Sequence, residues 1–149
     1  MMNWSIKAFD QLTRDELFII LKERVAVFVV EQACAYPEID ELDQKSIHIF
    51  KQDSSGQLLA YCRIIPTEKM MKLGRVLTTQ TVRGKGLGQE LVATALSYCQ
   101  ENYPQLPVYA QAQAHLQDFY GQFGFNATSE VYLEDDIPHI DMTTFPILI

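Results

Sequence analysis

The chain has 149 residues, 48% hydrophobic and 21% charged, with a net charge of −7 and a pI near 4.8. That is most simply one domain, residues 1–149, with the composition of a soluble globular protein and enough chain to bury a core. The acidic balance argues against nucleic acid, which wants a basic face, and suits a cationic small molecule.

No apolar segment follows the first methionine, so no signal peptide is expected. Residues 4–9 alternate apolar and polar and read as a first strand. Thr13 and Glu16 form a capping box that opens a helix. Leu17, Ile20, Leu21, Val25 and Phe28 then recur at helical spacing to about Val30. Lys22, Glu23 and Arg24 interrupt this most apolar stretch, which is too short and too charged to span a membrane. Glu31 follows at the helix end, where a carboxylate is unfavourable, so either it is held there for a reason or it lies beyond the last turn.

Residues 33–45 read as a loop crowded by Glu38, Asp40, Glu41 and Asp43. The default for such a run is a solvated face. The calcium-loop spacing and its glycine are missing, so no metal is expected. Residues 46–51 and 57–65 read as a hairpin turning at residues 53–56, with His48 facing opposite to Ile47 and Ile49. Cys34, Cys62 and Cys99 are odd in number and widely spaced, which indicates neither a disulfide framework nor a zinc site and points to a reducing cytoplasm.

A strand over residues 71–79 runs into the most informative stretch, residues 76–88. Here Val76, Leu77 and Thr78 lead to a turn holding Arg83, Gly84, Lys85, Gly86, Leu87 and Gly88, and a helix follows over residues 86–103. Glycines let a ligand approach the backbone closely. The unpaired N–H groups and the dipole of a helix start favour an anion. Two cations add charge, so the natural guest is a pyrophosphate. The spacing is neither the dinucleotide fingerprint nor a P-loop. The helix carries Leu91, Val92, Ala95, Leu96 and Cys99 on one face. A short strand over 108–111, a helix over 114–123 closed by Gly124, and strands over 130–134 and 140–145 complete the chain.

Arg83-x-x-Gly86-x-Gly88 resembles the pyrophosphate loop of the GNAT acetyltransferases, and Tyr120 followed by Gly124-Phe125 resembles their second motif. Arg24, Glu31, Gln32, Cys34, Tyr36, His48, Arg63, Gly74 and the Ile137-Pro138-His139-Ile140 run extend the likeness over nearly the whole chain, to the ElaA-type branch. The resemblance implies an α/β fold (α+β in some schemes): a mixed, twisted sheet splayed between its fourth and fifth strands and flanked by helices. It implies acetyl-CoA as acetyl donor and a small-molecule or peptide amine as acceptor, with no nucleic acid or membrane partner and a homodimer open.

By position, Val76, Leu77 and Thr78 would hold the pantetheine arm, and residues 83–88 the pyrophosphate. Gln113 stands where the family often has asparagine, and Leu116 where it often has alanine. Tyr120 would protonate the leaving thiolate. No motif identifies the general base, for which Glu31, His48 and His139 are candidates, with His115 near the second motif. Arg24, Phe28, Asp40 and Asp43 also loosely fit the acyl-homoserine-lactone synthases, although Cys34 falls where tryptophan is expected. A non-catalytic acyl-CoA-binding module is the remaining alternative.

Overall fold

A computed structural model describes residues 4–144. Residues 1–3, and Phe145 at the end of the expected last strand, lie outside that range. The described strands are β1 (Ser5–Ala8), β2 (Ile47–Gln52), β3 (Leu58–Pro66), β4 (Met71–Thr78), β5 (Val108–Gln113), β6 (Asn126–Ala127), β7 (Tyr132–Glu134) and β8 (Ile137–Thr143). They form one mixed sheet in the order β1-β2-β3-β4-β5-β8-β6, with β7 also paired to β8. The helices are α1 (Arg14–Arg24), α2 (Leu87–Asn102) and the short α3 (Gln117–Gly121).

Strand alternation divides the core between the two sheet faces. Ala60, Cys62 and Ile64 of β3 pack with Leu91, Val92, Ala95 and Cys99 of α2. The intervening Tyr61, with Phe50 and Leu77, packs with Ile20 of α1. Both faces of β2 and β3 are therefore covered, and both strands are buried along nearly their whole length.

The expected capping box starts α1: the Glu16 N–H donates to Thr13 Oγ1 at 3.0 Å, and the Thr13 N–H donates to Glu16 Oε1 at 2.9 Å. Beyond Arg24 the helix does not stop but widens into a π-helical stretch, Val25–Glu31. This stretch is rich in valine, whose branched Cβ crowds the preceding turn of a regular α-helix. The helix expected over residues 114–123 is instead a 3₁₀ turn, Ala114–Leu116, followed by α3.

The strands splay where expected. Parallel pairing of β4 with β5 covers only Met71 with Val108, Lys72 with Tyr109, and Leu73 with Ala110. Against β3, Tyr61 pairs with Leu77 and Arg63 with Gly74, so Arg75 and Val76 together oppose Cys62. This is a β-bulge, with Arg75 at φ +51°. A bulge bends and twists its strand, and β4 leaves β5 at this point.

The edge of β4 from Gly74 onward pairs with no other described strand on that side. Asp135 and Asp136, at φ +50° and +63°, make a two-residue turn between β7 and β8. Ile137, Pro138 and His139, which fall between the last two strands expected from the sequence, belong to β8.

Candidate functional site

The turn at residues 83–88 has the shape its glycines require. Gly84 and Gly86 both lie at φ +81°, and a Cβ there would meet nothing within 4 Å, so the sign of φ rather than crowding demands glycine. Gly88 is different: its Cβ would sit in ordinary contact with Phe119 at 3.7 Å and Thr78 at 3.9 Å.

Gly86 caps α2 without a side-chain bond, and the first helical bond runs from the Glu90 N–H to the Gly86 carbonyl at 3.2 Å. The N–H groups of Leu87, Gly88 and Gln89 thus have no acceptor within the helix. They border a concavity of about 300 Å³ that Thr78 and Arg83 also line. The Leu87 side chain itself is buried in the core, which leaves its backbone facing the concavity.

Arg83 is held from two sides. Its Nε–H donates to the Thr78 carbonyl at 3.1 Å, and its two terminal nitrogens donate to the Glu31 carboxylate at 2.6 and 2.9 Å. Glu31 therefore has a partner at the end of the π-helical stretch. The Arg83 bonds hold its carboxyl below its ordinary value, which weakens it as a base.

Thr78 and Arg83 also line a second, larger cleft of about 930 Å³ between the diverging halves of β4 and β5. Val76 and Leu77 form one wall, Ala112 and Gln113 the other. Gln113 donates its amide to Gln32 Oε1 at 3.3 Å, which ties β5 to the segment following the π-helical stretch.

Tyr120 lines this cleft and is only 5% exposed. Phe119 and Phe125 meet its ring edge-on at 5.2 and 5.6 Å. Burial, with a smaller contribution from Cys62, pushes its phenol above the ordinary value near 10, so it is a protonated donor at neutral pH.

The histidines differ sharply in what their rings can do. His48 is fully buried, and the residues lining the cleft do not include it. Its Nε2 lies 2.9 Å from the Asp43 carbonyl, which can only accept, and its Nδ1 lies 2.6 Å from the Tyr61 hydroxyl. Nε2 therefore carries the proton and Nδ1 accepts from Tyr61. With both nitrogens engaged and solvent excluded, the expectation of His48 as a base finds no geometric support. Burial lowers its pKa below the ordinary 6.5, as befits a neutral structural ring. His139 and the exposed His115 do line the cleft.

The acidic loop corrects a further expectation. Glu38 and Asp43 are 3% and 4% exposed and do not form a solvated face. Arg24, wholly buried, donates Nε–H to Glu38 Oε2 at 2.7 Å and Nη1–H to Asp43 Oδ1 at 2.7 Å. Arg63 bridges Asp40 and Asp43, each at 2.9 Å, and Arg75 donates to Glu38 Oε2 at 2.8 Å. Burial opposes the charge on Asp43, but the two guanidiniums overcome it and hold the carboxyl below its ordinary value.

These three arginines clasp the loop onto the sheet beside the β4 bulge. Sequence reasoning named Arg24 only through family resemblance and missed its pairing with Glu38 and Asp43, although a signal for its burial was present. Arg24 sits four residues from both Ile20 and Phe28, on the apolar stripe of its own helix. Glu134 and Asp135 are the acids that line the cleft beside Glu31. Among the described residues, no group of His, Cys, Asp or Glu is arranged to hold a metal, and no helix is long and apolar enough to cross a membrane.

Comparison with known proteins fits this geometry. The family model for the acetyltransferase (GNAT) domain matches residues 13–145. Protein ElaA of Escherichia coli (strain K12) is 42% identical over 149 residues, covering 95% of each chain. Its crystal structure superposes with a TM-score of 0.92 over 96% of this chain and 99% of that one, at 41% identity.

An acyl-CoA N-acyltransferase from Pseudomonas aeruginosa is 44% identical, with a TM-score of 0.91 over 97% of this chain and 99% of that one. A CoA-dependent acyl-homoserine lactone synthase, BjaI, shares the fold at 15% identity, with a TM-score of 0.82 over 99% of this chain and 84% of that one.

Proposed function

The chain belongs to the GNAT acetyltransferase family, and on that premise we propose that it transfers the acetyl group of acetyl-CoA to a primary amine by direct attack in a ternary complex. The observation that carries this reading is continuity. The turn at residues 83–88, with its free helix-start N–H groups, shares Thr78 and Arg83 with the cleft that opens where β4 leaves β5.

In this reading the pyrophosphate sits on the N–H groups of Leu87, Gly88 and Gln89, with Lys85 and Arg83 supplying charge. The pantetheine arm lies along the unpaired edge of β4 at Val76, Leu77 and Thr78, and Gln113 offers its amide from β5. A backbone N–H of β4 receives the oxyanion. Tyr120 protonates the departing thiolate. The amine approaches from the far side of the sheet, past Glu134 and Asp135, which favours a cationic acceptor. The three free cysteines fit a reducing cytoplasm.

The test has two parts. Calorimetric titration should show CoA and acetyl-CoA binding the parent with similar affinity, and Gly86→Asp abolishing both. Undiminished CoA binding by that variant would misplace the site. Thiol release from acetyl-CoA is then followed across a panel of primary amines that includes S-adenosylmethionine. Turnover with a simple amine supports the reading. Turnover confined to S-adenosylmethionine would favour lactone-synthase-like chemistry, and binding without turnover a non-catalytic module.

A further inference from the structure

We propose that His139 is the general base that takes the proton from the acceptor ammonium; this rests on the amine-transfer reading above. A base for this step needs a free lone pair, a fixed orientation and access to the cleft. Glu31 spends both carboxylate oxygens on Arg83, and both ring nitrogens of His48 are engaged inside the core. His139 meets all three requirements together. It sits on β8 opposite Gln113 of β5 on one side and Tyr132 of β7 on the other. It is half-buried and lines the cleft.

The ring is fixed by two contacts. Nδ1 lies 2.7 Å from the Ile137 carbonyl, an obligate acceptor, so Nδ1 carries the proton and Nε2 keeps its lone pair. No described residue bonds Nε2. The ring also stacks on Tyr132, with centroids 6.4 Å apart and planes 26° from parallel. Tyr132 is held in turn: its hydroxyl donates to Asp141 and accepts from Gln111 Nε2 at 2.7 Å. Asp141 also accepts from Tyr109 at 2.8 Å. The stacking partner is therefore anchored to β5 and β8 together.

The titratable and charged groups that share the cleft with His139 include Tyr109 and Lys72 of the sheet, Glu134 of β7, Asp135 of the turn, Arg63 and Arg75, and His115. The loop facing the turn brings Cys34, whose Sγ lies 3.8 Å from the Asp135 carbonyl.

The step balances as follows. Nε2 takes one proton from the ammonium, and the freed nitrogen lone pair attacks the thioester carbonyl. The C–N bond forms, the C–S bond breaks, and the sulfur leaves with its electron pair. The second proton passes from the nitrogen to solvent as the amide forms, and the thiolate is protonated from Tyr120, which regains a proton from solvent. The imidazolium returns its proton to solvent, so the net products are amide, thiol and one proton.

The test compares the parent with His139→Gln, using acetyl-CoA and the best amine of the panel between pH 6 and 10, with CoA titration to show that the variant is folded. At pH 7 the variant's kcat/KM for the amine should fall by about 10²–10⁴-fold, with the KM for acetyl-CoA unchanged. The deficit should shrink as pH rises toward the pKa of the amine, because the free amine needs no base. A rate within threefold of the parent, or an equal loss at every pH, would overturn the assignment. Nitrogen NMR of the parent ring, assigned by its absence in the variant, should show the Nδ1–H tautomer; an Nε2–H tautomer would also overturn it. A parent that releases no thiol with any amine would instead refute the underlying reading.

Discussion

Replacing Arg24 by methionine removes the centre of the buried charge cluster while keeping a long apolar stem. Arg24 makes four hydrogen bonds: Nε to Glu38 at 2.7 Å, Nη1 and Nη2 to Asp43 at 2.7 and 3.2 Å, and Nη2 to the Glu38 carbonyl at 3.1 Å. Breaking a buried pair by removing one partner costs about 3–5 kcal/mol, chiefly because the other charge stays buried and uncompensated. Here each acid keeps a second cation, since Glu38 retains Arg75 at 2.8 Å and Asp43 retains Arg63 at 2.9 Å. The expected loss is therefore at the low end, about 3 kcal/mol.

With a urea m-value of about 2 kcal/mol/M, the unfolding midpoint should drop by roughly 1.5 M at unchanged slope. Urea melts followed by far-ultraviolet circular dichroism read this directly. Arg24→Lys should cost nearly as much, because a single ammonium lacks the planar fork that serves two carboxylates at once. A loss below about 1 kcal/mol for the methionine variant would refute the reasoning, since it would mean that the acids find water or protonate at little cost.

Other outcomes follow from the site and its supports. His48 has a lowered folded pKa, so the parent should lose stability as pH falls below 6.5, at up to about 1.4 kcal/mol per pH unit until the folded pKa is reached. His48→Gln should flatten that slope in urea melts at pH 5 and 7.5, and an unchanged slope would exclude His48 as its source. Tyr120→Phe should lower kcat by about 10²–10⁴-fold and leave CoA affinity near the parent's, checked by thiol release and calorimetry; near-parental kcat with chemistry limiting would reduce Tyr120 to a packing residue. Gly86→Ala should destabilise by about 1–2 kcal/mol because φ is positive there, whereas Gly88→Ala should show no such loss; equal effects in thermal melts would contradict the backbone assignment.

What could be read in advance was local. The turn at residues 83–88 announces itself because its glycines, cations and helix start lie within one short stretch. The capping box of Thr13 and Glu16 and the apolar face of α2 are legible for the same reason. The buried cluster is the opposite case. Arg24 meets residues 14 and 19 positions away, and Arg75 reaches back 37 positions to Glu38. Counted along the chain, the acids look like a solvated run; their partners come from a helix and two strands that only the fold assembles. Alternation placed His48 on the correct side of β2 but could not say that Tyr61 and the Asp43 carbonyl would close over it. The bulge was equally hidden, since Arg75 is not a glycine and nothing around it advertises a positive φ.

That bulge and the buried cluster belong together. A non-glycine residue at φ +51° is held against a cost of about 1–2 kcal/mol, and such a conformation persists only where its surroundings over-determine it. Arg75 is bonded through Nε to the Glu38 carboxylate at 2.8 Å and through Nη2 to the Glu38 carbonyl at 3.1 Å, and its guanidinium lies over the Tyr36 ring. Tyr36 in turn donates to Glu38, and Glu38 is fixed from behind by Arg24.

A buried salt bridge is weak grounds for stability, because apolar replacements can do as well. Its distinctive contribution here is positional: it holds the side chain of the one β4 residue that must turn the strand away from β5. The cleft is thus shaped from the α1 face of the sheet, by residues outside the cofactor motif. Loss of Arg24 should therefore reach the cleft as well as the melting curve. In folded Arg24→Met, CoA affinity should weaken although every residue of the 83–88 turn is intact. Affinity equal to the parent's would separate the cluster from the site and leave it a matter of stability alone.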